Sequence, residues 1–397
     1  MHAIGKKLLI TCAVLIVLVS VAAAALWLWE HRPVSVEASG YEDRAENYSV
    51  SIRRDHLGIP HIHGARDADA AFGLAYAHAE DDFDTIQTVM IAIRGELAAV
   101  KGPSAAPGDY LVRMMRVWDL VTTKYETLSA ETRAVAEAYA DGLNLWGARH
   151  PDRLVRGFLP VRGEDVVAGF VFKTPLFYGL DKALKEITGP TRARGIAAAP
   201  TAFQTDDTHP WGSNAVAVAP SRSAEGKTML WINSHQPLSG PVAWYEAHLT
   251  SDDGLDVYGG LFPGSPLVLH GFNQAIGWAN TVNRPDLLDV YVLEINPENP
   301  DQYRLDGEWR DFEPGTARIT VKLFGALRWT FERPLRRSIH GPVLETEHGV
   351  YALRYVGMDE VRQLEQYYRL NRAQDLEEFL SAMRLHALPS INYTYAD

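Results

Sequence analysis

Hydrophobic and polar positions along this chain change rhythm several times, and each change marks an element. From Leu8 to Trp29 no charged residue interrupts an apolar tract, long enough to cross about 30 Å of hydrocarbon as a helix. Near Tyr48 the text becomes strand-like: Ser49–Arg53 alternates, and Gly58–Ile62 follows a turn. Ala70, Ala71, Leu74, Ala75 and Ala77 then recur at helical spacing and run on into Ile86, Val89, Met90 and Ile93. A second helix is predicted over Glu131–Trp146, with Val135, Tyr139, Leu143 and Trp146 on one face, and a third from about Gly163, carrying Val166, Phe170 and Phe172.

After these helices the pattern dissolves. Thr188–Asp207 is rich in Ala, Gly, Pro, Thr and Arg without a hydrophobic period, which reads as an exposed linker. Ala215–Ala219 is then a wholly apolar strand, and antiparallel-type strands are predicted over Lys227–Ile232, Val242–Leu249, Leu267–Phe272 and Val290–Ile295. Near the end, Asn371 and Gln374 have capping-box spacing ahead of Leu376, Phe379, Leu380 and Met383. Helices first, a joint, then strands give an α+β pattern.

Composition narrows the function classes. A net charge of −12 with no basic run beyond Lys6 and Lys7 excludes a phosphate-tracking nucleic-acid binder. The single cysteine, Cys12, sits in the apolar tract, so the remainder has no disulfide, thiolate metal site or thiol nucleophile. Lys6 and Lys7 ahead of the tract, Ala22–Ala25 within it and Leu26-Trp27-Leu28-Trp29 at its end mark residues 1–29 as a signal peptide or signal-anchor. The protein is expected to be exported, periplasmic or held at the inner membrane facing the periplasm, and to meet the membrane only through this segment. No phosphate loop, HExxH or dinucleotide fingerprint occurs, and no organic cofactor is expected.

One step carries candidate chemistry. A serine hydroxyl needs a base within hydrogen-bond reach. If the chain is cut between Gly212 and Ser213, the freed α-amino group, with an ordinary pKa of about 7.7–8.0, is that base, directly or through one water. Glycine before the serine tolerates the backbone from which the serine attacks its own preceding carbonyl. Gly-Ser-Asn before a strand is equally an ordinary turn.

His209-Pro210-Trp211-Gly212-Ser213-Asn214 with Ala215–Val218 resembles the processing site of the penicillin acylase family, which includes acyl-homoserine lactone acylases and cephalosporin acylases. The resemblance continues in order along nearly the whole mature chain. Arg54–Ile62 and Phe72–Asp81 are similar to the opening strand–turn and helix of the small subunit. Asn233-Ser234-His235, Phe262–Pro266, Gly277–Asn283 and Ile391–Asp397 are similar to later blocks. The resemblance implies an N-terminal-nucleophile amidohydrolase with a four-layer α/β/β/α sandwich. It implies a small-subunit region over 40–187, mainly helical, a spacer over 188–212 and the start of the large subunit over 213–397, the two processed chains pairing as an α/β heterodimer.

Carried over by position, Ser213 is the nucleophile, His235 sits where the family places a histidine or glutamine beside it, and the backbone N–H of Val282 is one oxyanion donor. Without the family, His235 reads as a polar turn residue and Val282 as an ordinary strand residue. Leu176, Phe177 and Tyr178 lie where the small subunit lends pocket side chains, and Trp244 and Phe262 are further pocket candidates, although helix-face aromatics usually belong to a core. Asp286 and Asp289 fall where some members bind one structural calcium, with Glu186 a looser third ligand; aspartates at that spacing also serve as solvated caps.

The family's second oxyanion donor, an asparagine, normally follows the block ending at Asp397, and Asn392 reads as a structural or turn-capping amide. The resemblance therefore implies a sandwich incomplete at its C-terminus, poorly folded and inactive as the present chain alone. The expected substrate is an N-acyl compound such as a β-lactam antibiotic or an N-acyl homoserine lactone. The absence of arginine in Leu176–Leu180, together with His235, leans towards the lactone side. The alternatives are a conventional serine peptidase, using His61 or His235 as base, and an inactive, membrane-tethered binding homologue.

Overall fold

The computed structural model describes residues 2–190, 212–283, 285–388 and 390–397. Most of the expected spacer, 188–212, together with His209, Pro210 and Trp211, lies outside the described residues.

The helical half matches its periodicity. Asp67–Ile93 and Ala130–Arg149 are long helices packed against each other. The second opens on Ser129, whose Oγ accepts the Thr132 N–H at 3.2 Å, the side-chain cap that an N-terminus needs. Their close approach depends on Gly142: a Cβ there would lie 2.4 Å from the Phe72 carbonyl oxygen and 2.8 Å from the Ala75 side chain. Helix Gly163–Lys173 packs across the pair. It is tied by Asp165, which accepts from the Arg162 N–H at 2.8 Å and from Arg94 at 2.6 and 3.0 Å. Arg94 also donates to the carbonyls of Phe158 and Pro160, so this buried charge is fully partnered.

The strands do not form a purely antiparallel set. Val50–Arg54, Pro60–Gly64, Tyr245–Ser251, Asp256–Leu261, His270–Phe272, Gly277–Thr281 and Asn392–Ala396 make one seven-stranded sheet in that spatial order. Within it Pro60–Gly64 runs parallel to Tyr245–Ser251, with His61 opposite His248. The sheet is mixed because an N-terminal strand and one that follows the spacer are joined edge to edge. One hydrophobic core accordingly runs through both halves, from Leu74, Phe83 and Tyr139 to Leu249, Val257 and Trp278. The fold is α+β with mixed sheets, consistent with the sandwich that the resemblance implies.

Two expected elements are corrected. The strand predicted over Leu267–Phe272 is confined to His270–Phe272, because Ser265 turns the chain by bonding the Leu267 carbonyl and N–H. The capping box is absent from Asn371 and Gln374. Asp375 caps helix Leu376–Met383 by accepting the Glu378 N–H, and Asn371 is buried, bonding both backbone groups of Val268.

Beyond the predicted elements, Glu313–Phe324 and Leu327–Ser338 form a long hairpin in a second sheet with Gly341–Thr346, Gly349–Tyr355 and Leu288–Leu293. The apolar tract is helical over His2–Glu30, and Leu9–Glu30 is long and apolar enough to cross a membrane. Its last turn meets that hairpin: Glu30 pairs with Lys322 and Arg328 at 2.7 and 2.9 Å, and the Leu26 carbonyl accepts the Ala326 N–H.

Candidate active site

Ser213 begins the strand Ser213–Val218, which pairs antiparallel with Met229–Ser234 so that Ser213 lies opposite Ser234. This hairpin packs on Gly277–Thr281 and Asn392–Ala396 at the end of the main sheet. The Gly212 carbonyl oxygen accepts the backbone N–H of His235 at 2.9 Å. The Gly212–Ser213 peptide is therefore held at the mouth of a two-stranded ladder, with one donor on its carbonyl.

The His235 ring sits on the Gly212 side of that step. Its Nε2 meets the side-chain amides of Asn214 and Asn233 at 3.1 and 3.2 Å. Amide N–H groups facing Nε2 make it the acceptor, which leaves the proton on Nδ1. Nδ1 faces Gly212, where a Cβ would lie 3.6 Å from it.

Ser213 opens into a cavity of about 140 Å³ lined by Phe177, Tyr178, Trp244, Phe262 and Val282. The aromatic wall is a stack: Trp244 lies 4.2 Å and Phe177 5.8 Å from the Phe262 ring centre. Phe177 and Tyr178 reach it because helix Gly163–Lys173 tightens into a 3-10 turn over Thr174–Tyr178. Pro175 cannot donate to a continuing helix, and Gly179, at φ +105°, ends the turn. Tyr178 is fixed by donating its hydroxyl to the Val356 carbonyl. Val282 sits just past the strand Gly277–Thr281, and its carbonyl is held by the Asn392 amide at 3.1 Å, which also reaches Thr281 Oγ1 at 3.3 Å.

The structure thus gathers Ser213, Val282, Phe177, Tyr178, Trp244 and Phe262 around one space and leaves others outside it. Leu176 packs into the core behind Phe177. His235 flanks Gly212 instead of lining the cavity. His61 is on the second strand of the sheet, towards the edge opposite Gly277–Thr281 and Asn392–Ala396, with Nδ1 3.0 Å from His248 Nδ1 and its other nitrogen near Asp55. Asp286 and Asp289 line a separate cleft with Asp359 and Glu360, whereas Glu186 lies on helix Leu180–Ile187 away from it. Among the described residues no three His, Cys, Asp or Glu side chains gather closely enough to hold a metal ion.

Among the polar residues lining the cavity, Ser234, His270 and Lys173 were given no role from the sequence. His270 Nδ1 is 2.9 Å from Ser234 Oγ, and its ring packs 4.7 Å from Trp244. Burial lowers its pKa to about 4, so it is neutral at pH 7. Lys173 Nζ donates to the Pro263 carbonyl at 3.0 Å, and burial lowers its pKa to about 8. The sequence did hold a signal for it: Val166, Phe170 and Lys173 fall at i, i+4 and i+7 on one helix face, so a lysine ends an apolar stripe.

Comparisons with known proteins bear on the family of the chain. The penicillin amidase family model matches residues 49–397. An acyl-homoserine lactone acylase (PvdQ) from Pseudomonas fluorescens is 29% identical over 92% of this chain and 50% of its own length. A second from Pseudomonas putida is 28% identical over 88% and 49%. The acyl-homoserine lactone acylase QuiP of Pseudomonas aeruginosa is 26% identical over 88% and 48%. The chain therefore spans about half the length of these curated relatives. Among solved structures, the thermostable penicillin G acylase of Alcaligenes faecalis aligns at 29% identity over 46% of this chain and 32% of that one, with a TM-score of 0.39.

Proposed function

The chain belongs to the penicillin amidase family, and from that premise we propose that it is the N-terminal part of an exported acylase that cuts itself at Gly212–Ser213 and then hydrolyses a linear N-acyl amide through Ser213. The observation that carries this reading is the Gly212 carbonyl, presented to Ser213 with the His235 N–H already bonded to it. Attack by Ser213 Oγ on that carbonyl carbon forms a C–O bond. The C–N bond then breaks, the oxyanion being held by the His235 N–H; the hydroxyl proton passes to the leaving nitrogen, which becomes the free Ser213 α-amine, and water hydrolyses the resulting Gly212–Ser213 ester to release the hydroxyl and the Gly212 carboxylate.

The mature step repeats the chemistry in trans. The free amine takes the hydroxyl proton, Oγ attacks the substrate amide, and the Val282 N–H receives the developing negative charge. The amine product leaves with the proton, an acyl-serine remains, and water activated by the same α-amine releases the acid. Small and large chains remain together because they share one sheet and one core, and the four-layer α/β/β/α sandwich is the arrangement this reading assigns to them. Similarity to acyl-homoserine lactone acylases favours N-acyl homoserine lactones over β-lactams as the wider substrate class. A structural calcium at Asp286 and Asp289 would take only two side-chain carboxylates, its remaining donors being backbone carbonyls or water, and its test is a lowered Tm on chelation. The Glu30 contacts support retention of the N-terminal helix as a periplasm-facing anchor.

A second reading rests on the Ser234–His270 hydrogen bond, a conventional serine–histidine pair in the same cavity. Two variants of the full-length protein decide between them. In the first reading Ser213→Ala leaves one uncut polypeptide with no hydrolysis of an N-acyl chromogenic amide, while Ser234→Ala still processes. An uncut Ser213→Ala protein that retains hydrolysis would establish the second.

A further inference from the structure

The long hairpin of the second sheet changes character along its length. Near its base Ala317, Ile319 and Val321 are buried against Ala98, with Tyr110 and Leu335 packed beside them. Its tip is bare. Phe324 pairs with Leu327 across a two-residue turn, Gly325-Ala326, and Gly325, at φ +50°, takes the left-handed conformation that such tight turns use. Leu323, Phe324, Leu327 and Trp329 are all exposed there. Trp27, Leu28 and Trp29, at the end of the apolar N-terminal helix, are exposed too. The two groups adjoin: the Ala326 N–H donates to the Leu26 carbonyl at 3.1 Å, and a Cβ on Gly325 would lie 2.8 Å from that same carbonyl. Exposed apolar surface gathered in this way marks a contact site.

Depth and charge agree on what covers it. Glu30 is the first charged residue after the apolar tract, and Lys322 and Arg328 close on it at 2.7 and 2.9 Å. Charged groups that flank a span stay at the headgroup level. The turn meets Leu26, four residues further into the tract, which is about 6 Å deeper at the rise of a helix. Interfacial segments sink to about that depth. The rest of the hairpin stays outside, where water satisfies the free edge of Glu313–Phe324. Behind the tip lies a cleft of about 1170 Å³ whose wall carries eight Lys and Arg side chains against three Asp and Glu. Of these cations, Arg32, Lys101, Arg113, Arg156 and Arg318 make no ion pair among the described residues. Arg156 donates to the Arg32 carbonyl and lies over the Trp29 ring. In a protein of net charge −12, cations concentrated beside the span suit an anionic surface.

We propose that this hairpin tip is a second membrane contact: Leu323, Phe324 and Leu327 dip into the leaflet beside the anchor helix, Trp329 rests at its interface, and an anionic phospholipid headgroup occupies the basic cleft. This rests on the anchor reading above and extends it. The helix tethers the protein, and the tip with its cleft fixes how the body sits on the bilayer.

The test uses the full-length protein in two ways. A benzophenone amino acid replaces Phe324 or, as control, the exposed Trp309 on the strand Glu308–Asp311 that leads into the hairpin's base, and the protein is photolysed in vesicles of phosphatidylcholine and phosphatidylglycerol. Native mass spectrometry of detergent-solubilised wild type, Arg113→Gln and Arg318→Gln titrates each lipid alone. Lipid adducts are expected at position 324 and not at 309. Phosphatidylglycerol should bind the wild type in preference to phosphatidylcholine, with a loss of roughly fivefold in each variant. No adduct at 324, or equal binding of the two lipids, in a protein that keeps its N-terminal helix would overturn the proposal and leave the anchor reading intact. A soluble product cut near Ala22–Ala25 would remove the anchor reading, and flotation with phosphatidylglycerol vesicles then still decides the role of the tip. Flotation lost in Phe324→Asp supports it; a wild type that stays in solution, or a variant that floats equally, refutes it.

Discussion

The backbone N–H of His235 donates to the carbonyl oxygen of Gly212 at 2.9 Å, across the end of the ladder that pairs Ser213 with Ser234. Because the donor is a main-chain group, the bond survives most changes of the His235 side chain. A proline there removes it, and residue 234 is already extended, as the position before a proline prefers. Loss of one oxyanion donor typically costs about 2.7–4 kcal/mol of barrier. His235→Pro is therefore expected to slow self-cleavage by roughly 100- to 1000-fold, with His235→Ala much closer to wild type. Intact mass measured over time, with N-terminal sequencing of the large fragment, checks this. Equal rates for the two variants would show that the N–H has no part in cleavage.

Asn392 holds the segment that carries Val282. Its amide donates to the Val282 carbonyl and to Thr281 Oγ1, so it fixes the peptide next to the proposed oxyanion donor without pointing at substrate. Asn392→Ala should cost about 1 kcal/mol of stability from the lost bonds. It should lower kcat by roughly tenfold with KM little changed, since the oxyanion interaction matters in the transition state. Urea titration and steady-state kinetics separate the two effects. A change in KM alone would make Asn392 a substrate contact.

Reading the sequence located the two long helices, the first strand pair and the serine, because each rests on a local signal: the Ala70–Ala77 stripe, the alternation after Tyr48, the Gly-Ser step ahead of an apolar strand. It failed where partners are distant in the chain. Nothing local predicts that His61 faces His248 in a parallel pairing, or that His270 meets Ser234. Asn371 carried a plausible cap spacing, yet it bonds Val268, more than a hundred residues away. The hairpin Glu313–Ser338 was missed although its signal is local: Ala317, Ile319 and Val321 alternate with Arg318, Thr320 and Lys322, and the former are the buried face. Family resemblance supplied the pocket aromatics. Lys173 lay outside it, and its place at the end of the Val166–Phe170 stripe gained meaning only from the geometry.

Helix packing in the N-terminal half depends on the missing Cβ of Gly142, since the Phe72 carbonyl occupies that space. The obstacle is backbone, which does not swing aside as a long side chain would. Gly142→Ala gains helix propensity, worth about 1 kcal/mol, but forces the helices Asp67–Ile93 and Ala130–Arg149 apart. Overpacking of this kind costs about 1–3 kcal/mol, occasionally more, so a net loss of stability is expected. A lowered urea midpoint with unchanged slope would support it, and a raised midpoint would contradict it.

Burial of His270 links stability to acid. Its ring is enclosed against Trp244, and Ser234 Oγ is its hydrogen-bond partner; burial lowers its pKa from 6.5 to about 4. The unfolded chain therefore binds a proton near pH 6.5, while the folded chain resists until about pH 4. Unfolding takes up a proton within that window, so the stability that His270 contributes is complete above pH 6.5 and is lost as pH falls towards 4, by at most roughly 3 kcal/mol. His270→Gln removes the titration while keeping a side chain that hydrogen-bonds Ser234. Its urea midpoint should be flatter than wild type between pH 6.5 and 4 and should change in parallel with wild type above that range. Parallel curves throughout the acid window would mean that His270 is already protonated in the fold, with the ring open to water and the cavity floor built differently.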